Sequence, residues 1–297
     1  MKADELELSG KQIKSVTYIG MAGNCALSLI KVVVGYLAGS LSLVADGIHS
    51  LSDLATDMMV LLGVFFGSKK ADSDHPYGHG RAETFSGVFI ALILIAVGGA
   101  MIYVATISIA KDKVTVPNIW VLTVALISII SKEWLYRVTK KTAVKSNSPS
   151  LYANAWHHRS DALSSVAVVI GLLSQELGFD HGDQVAAIAV GLMIIFVGVR
   201  IIGDAFRELT EGAADTETIK QIEQIIKTDS DVRHWHKLRT RTVGREIFLD
   251  VHILVNPGLD VAAAHEISEN LENNLEEQIS RPINITIHIE PDIPELR

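Results

Sequence analysis

Cysteine is almost absent from this 297-residue chain, Cys25 being the single one. One thiol excludes an intrachain disulfide, and a lone sulfur in an apolar stretch leaves thiolate metal coordination without a ligand set. An excess of positive charge is missing too. The chain carries 26 Lys and Arg against 34 Asp and Glu, a formal net charge of −8. With no basic stripe to release counterions from a polyanion, nucleic acid is not the partner. The first ten residues, Met1 to Gly10, are polar and acidic and lack the apolar core of a cleavable signal sequence.

What is present is apolar and unevenly placed. Hydrophobic residues make up 48% of the chain and mean hydropathy is +0.31. From Val16 to Arg207 they come in long blocks; from Thr210 onward the composition is that of a soluble protein. Acidic and basic residues balance at 17 each in 1–209, against 17 acidic and 9 basic in 210–297, which also holds five of the 11 histidines. Two domains are expected on that division, a membrane domain over 1–209 and a cytoplasmic domain over 210–297.

A helix needs ~20 apolar residues to cross a bilayer core. Val16–Leu37, Ala82–Ile109, Val116–Tyr136 and Val185–Ala205 meet this directly. Ser40–Phe66 and Leu151–Leu177 carry charged groups in their first halves and apolar residues in their second, as helices facing a bundle interior do. Six spans put both termini on one side. Lys2, Lys11, Lys14, Lys69, Lys70, Arg81, Arg137, Lys140, Lys141 and Lys145 flank that side, against Lys111 and Lys113 opposite. The bias makes it cytoplasmic, in a cell inner membrane.

Beyond Thr210 the periodicity changes. Glu217–Lys227 repeats at helical spacing, His236–Arg241 and Glu246–Val255 read as strands around a Val243–Arg245 turn, Val261–Ile279 is an amphipathic helix, and Ile283–Ile289 alternates as a last strand. The order αββαβ predicts a small α+β layer fold.

Two copies of one pattern interrupt the apolar blocks: His49-Ser-Leu-Ser-Asp53 and His157-His-Arg-Ser-Asp161. Each places an imidazole and a carboxylate one helical turn apart on one face. An ionisable side chain in a membrane span costs at least ~2.5–3.5 kcal/mol on insertion scales, so a matched pair of such motifs points to a shared site. Two nitrogens and two oxygens suit a four-coordinate divalent metal such as zinc. Asp46 and Asp57 share the first pair's face, as groups lining an access route or as hydrogen-bond acceptors behind the ligands. His158 points about 100° from His157 on the helical wheel, toward a supporting or interfacial position.

These motifs, with the loop His75-Pro-Tyr-Gly-His79-Gly-Arg-Ala-Glu, the stretch Trp156-His-His-Arg-Ser-Asp161 and the segment His236-Lys-Leu-Arg-Thr-Arg241, resemble the cation diffusion facilitator family over nearly the whole chain. The resemblance implies a transport site of His49, Asp53, His157 and Asp161, and a loop site of Asp72, His75 and His79. In the terminal domain it implies a metal site of His236, His252, His265, His288 and Glu290 at a dimer contact, with glutamate where the family pattern has aspartate. It further implies a homodimer locked near the membrane surface by an Arg81–Glu211 charge pair. Relatives often carry aspartate where His49 stands. Imidazole there favours zinc over harder ions such as manganese.

The expected activity is therefore efflux of a divalent cation, Zn²⁺ against protons, by alternating access, and not catalysis. Transport of Fe²⁺, Cd²⁺ or Mn²⁺ is the substrate alternative. A non-transporting metal sensor or scaffold is the alternative in kind. A membrane metallohydrolase fits less well, because a catalytic zinc keeps a position open for water and no separate general base accompanies the four ligands.

Overall fold

The computed structural model describes residues 2–37, 53–111, 119–176 and 182–297. It divides into two compact units, one of Ser9–Ala205 and one joining Met1–Leu8 to Phe206–Arg297.

The larger unit is helical throughout its described elements: α1 (Lys2–Leu37, entering from the other unit), α2 (Leu54–Gly67), α3 (Arg81–Ala110), α4 (Ile119–Ser146), α5 (Pro149–Glu176) and α6 (Gly182–Leu209). Three stretches, Leu6–Val34, Arg81–Ala110 and Ala187–Leu209, are long and apolar enough to cross a bilayer by themselves. The other three expected spans differ for identifiable reasons. Only the second half of Ser40–Phe66 falls among the described residues, as the 14-residue α2. Helices α4 and α5 are 28 residues each, and parts of the expected spans Val116–Tyr136 and Leu151–Leu177 lie outside the described residues.

Apolar contact shapes this unit where side chains are smallest. A Cβ on Gly98 of α3 would meet the Gly191 carbonyl oxygen at 2.7 Å, and one on Gly191 of α6 would meet that of Gly98 at 2.8 Å. Two glycines thus let two helices touch backbone to backbone, the usual device where lipid offers no hydrophobic drive for association. Helices α4 and α5 form a tight antiparallel pair. Asn147 takes the left-handed conformation (φ 50°) that ends α4, Ser148 accepts from the Leu151 N–H at 3.4 Å, and Pro149 opens α5.

The second unit contains α7 (Thr216–Thr228), β1 (His234–Val243), β2 (Glu246–Val255), α8 (Val261–Gln278) and β3 (Ile283–Pro291), followed by a 3-10 turn at Pro294–Leu296. This is the expected αββαβ order. Both helices begin on a capping aspartate: Asp215 accepts from the Thr218 N–H at 2.9 Å and Asp260 from the Ala263 N–H at 2.8 Å. The sheet order is β1-β2-β3, with β1 antiparallel and β3 parallel to β2. A parallel neighbour requires a crossover, which α8 supplies. Ile247, Leu249, Val251 and Ile253 of β2 and Ile283 of β3 pack with Ile222 and Ile226 of α7 and Leu271 and Leu275 of α8. The helices therefore cover one sheet face, and the alternate positions of each strand lie on the other.

Candidate metal centre

In the helical unit, α2 and α5 bring Asp53, His157 and Asp161 together. His157 Nε2 lies 3.3 Å from Asp53 Oδ1 and 3.9 Å from Asp161 Oδ2. One ligand atom from each residue falls within 4.8 Å of the others. Asp53 and His157 are buried and Asp161 is half-buried. One nitrogen and two carboxylates at this spacing fit a small divalent cation, with a fourth donor required for a tetrahedron. His49 and Asp46 lie outside the described residues.

A group with no counterpart in the sequence reading sits in this cluster. Lys132 of α4, 1% exposed, donates from Nζ to Asp53 Oδ2 at 2.7 Å, to Asp161 Oδ2 at 2.8 Å and to Asn24 Oδ1 of α1 at 2.8 Å. A buried ammonium with three oxygen acceptors has its hydrogen-bonding capacity filled. The available signal was a lysine inside an apolar span, which is itself a mark of function.

Asp57 has a different place from Asp53. It is fully buried, and it accepts from Asn24 Nδ2 at 2.9 Å and from Asn154 Nδ2 at 2.7 Å. Asn24 thus bridges Asp57 and Lys132. His158 is buried, with Nε2 3.9 Å from Asp57 Oδ1, so the interfacial alternative for it is set aside.

The loop before α3 gathers Asp72, His75 and His79. Asp72 Oδ1 accepts from the backbone N–H groups of Asp74 at 3.1 Å and His75 at 2.7 Å, and lies 3.2 Å from His75 Nδ1. Its Oδ2 is 3.5 Å from His79 Nε2, and the two imidazole rings are 4.3 Å apart. Gly78 makes the return possible at φ 80°. The His75 backbone N–H is the chief cause that holds the Asp72 carboxyl below its ordinary range. One ligand atom from each of Asp72, His75 and His79 lies within 4.8 Å of the others, close enough together to hold a metal ion.

Strand register builds the third group. His236 pairs with His252 and His252 with His288, so three histidines stand in one row across the sheet. All lie on the face away from the helices. Glu290, two positions along β3, reaches back to this row: His252 Nδ1 is 2.8 Å from Oε1, His236 Nε2 3.0 Å from Oε2, and His288 Nε2 3.6 Å from Oε1. The hydrogen bond from His252, joined by the nearby His236, holds the Glu290 carboxyl low. The register shifts just after His236, where Lys237 is left-handed at φ 51°. His265 is not brought to this row by its own chain. It is exposed on α8, the helix covering the other sheet face, with Nε2 3.3 Å from Glu269 Oε1. Glu211 is paired with Arg241 at 3.3 Å within the smaller unit, while Arg81 opens α3 in the larger one.

Residues 17–210 match the family described as cation efflux transmembrane domain, and residues 214–292 match the cation efflux protein, cytoplasmic domain. Metal tolerance protein C1 of Arabidopsis thaliana is 32% identical over 297 residues, covering 95% of this chain; the chain spans 63% of that protein's length. The uncharacterized transporter MJ0449 of Methanocaldococcus jannaschii is 36% identical, covering 90% of this chain and 94% of its own. The manganese efflux system protein MneP of Bacillus subtilis is 31% identical, covering 95% and 97%. With its helical part and its terminal domain both matched, the chain belongs to the cation efflux family, the cation diffusion facilitators, which are membrane metal transporters and not enzymes.

Proposed function

We propose that this chain is a homodimeric efflux transporter that exchanges cytoplasmic Zn²⁺ for protons through a site of His49, Asp53, His157 and Asp161. The observation that supports this reading most is the convergence of Asp53, His157 and Asp161 inside an apolar helical unit. Metal enters only when imidazoles and carboxylates have released their protons, so loading and deprotonation are one event. Opening to the other side exposes the same ligands to a proton supply, and protonation returns the ion. Asp53 at the start of α2 and His157 and Asp161 on α5 come from two helices, so a small change in their separation alters coordination. Asn24 and Asn154 hold Asp57 behind them, which fixes α1, α2 and α5 as one support.

Manganese is the second reading, because two relatives are named manganese efflux proteins. His49 favours zinc, since an imidazole in place of a carboxylate suits a softer ion. Full-length protein in proteoliposomes with an imposed pH gradient, offered Zn²⁺, Mn²⁺, Cd²⁺ and Fe²⁺ separately, decides between them. The expected result is gradient-dependent uptake fastest for Zn²⁺. Faster Mn²⁺ uptake selects the second reading, and no uptake of any ion removes both.

A further inference from the structure

The membrane cluster carries its own cation. Lys132 Nζ lies within 2.8 Å of both Asp53 Oδ2 and Asp161 Oδ2, atoms of the residues proposed to hold the metal. One ammonium offsets half the charge of two carboxylates, and a divalent ion alone offsets all of it. Adding a divalent ion while the ammonium stays would crowd like charges into a buried space. Removing the ammonium without replacing it would leave two buried carboxylates side by side, which is as unfavourable. The cluster therefore has two stable fillings, metal or ammonium, and they exclude one another.

We propose that Lys132 is a tethered competitor of the transported metal, closing the empty site with its ammonium and yielding its place when the ion arrives. This rests on the assignment of Asp53, His157 and Asp161 as transport ligands. The third acceptor explains how the lysine can withdraw. Asn24 Oδ1 is on α1, not among the metal ligands, and its amide is anchored on Asp57. The ammonium keeps that partner while it releases the two aspartates. Such a group sets affinity: binding is weakened by the work of displacing it, and release is helped by its return. Its return after release also keeps the two buried carboxylates from standing side by side without a cation.

The test uses the full-length dimer in detergent, titrated with Zn²⁺ by calorimetry. His79→Ala and His252→Ala are present throughout to weaken the loop and terminal-domain sites. Lys132→Met is expected to tighten the membrane-site Kd at least ten-fold, whereas Lys132→Arg, which keeps the charge, binds no tighter than the parent. Asp161→Asn is expected to abolish that binding event in either background. Unchanged or weaker binding by Lys132→Met, with loss in Asp161→Asn, overturns the competitor role and leaves the transport site standing. Retention of the binding event in Asp161→Asn overturns the site assignment, and the competitor role with it. Should Lys132→Met fail to give a dimer, Lys132→Gln removes the charge while keeping a hydrogen-bonding end, and the same outcomes apply.

Discussion

Asp57 shows how much a single buried carboxylate can organise. It is fully enclosed, and two asparagine amides from α1 and α5 point at it. Asp57→Ala leaves both amides without their acceptor, and unsatisfied buried donors cost about 1–3 kcal/mol each. The expected outcome is a variant several degrees less heat-stable in detergent; a melting point equal to the parent's would show that the amides find other acceptors. Part of this was legible in the sequence. Asp53 and Asp57, four residues apart, were expected to share a face, and both are buried. Their different partners were not legible, because Asn24 and Asn154 arrive from helices distant in sequence. Lys132 escaped for a related reason. Metal-ligand patterns select histidine and carboxylate, so a lysine in an apolar span marks function without saying which cluster it joins; only its neighbours across the bundle tell that.

At the scale of elements, the crossing of α3 and α6 depends on Gly98 and Gly191. A Cβ at either position would strike backbone, which cannot move aside as a side-chain tip can. Gly191→Val is expected to lower the yield of folded protein and the melting point, while Gly203→Val, at a position with open space, changes neither. Equal behaviour of the two variants would remove the close approach as a determinant. In the terminal unit, Asp215 caps α7 and its carboxyl is held below the ordinary 3.8, first by the Thr218 N–H. A lowered folded value means that the stabilisation is complete above the unfolded pKa and is lost as pH falls through the folded one. Asp215→Ala is therefore expected to cost about 1 kcal/mol at neutral pH, with the difference closing below pH 3.8. A difference independent of pH would contradict this cap. Strand positions of His252 and His288 were readable from alternation, whereas their alignment in one row depends on parallel pairing of β2 with β3, which no local pattern encodes. The same distance in sequence hid the separation of His265, since only the sheet shows which face a helix covers.

As a whole, the molecule joins an apolar helical unit to a domain with its own core. That core is drawn from residues between Ala214 and Ile289, none of them in the helical unit. Residues 210–297 expressed alone are expected to fold, and Zn²⁺ is expected to raise their melting point. A ligand at 100 times its Kd adds about 2.7 kcal/mol. His252→Ala, which removes the contact to Glu290, should shrink that rise; a melting point indifferent to zinc would take the histidine row out of metal binding. The most direct measurement concerns the helical unit. Zinc uptake into proteoliposomes under a pH gradient is compared between the parent and Asp161→Ala, with the dimer checked by size-exclusion chromatography in each. The expected result is an intact dimer with no uptake above that of protein-free liposomes. Parent-level uptake by Asp161→Ala would contradict the assignment of the transported ion to the Asp53, His157 and Asp161 cluster.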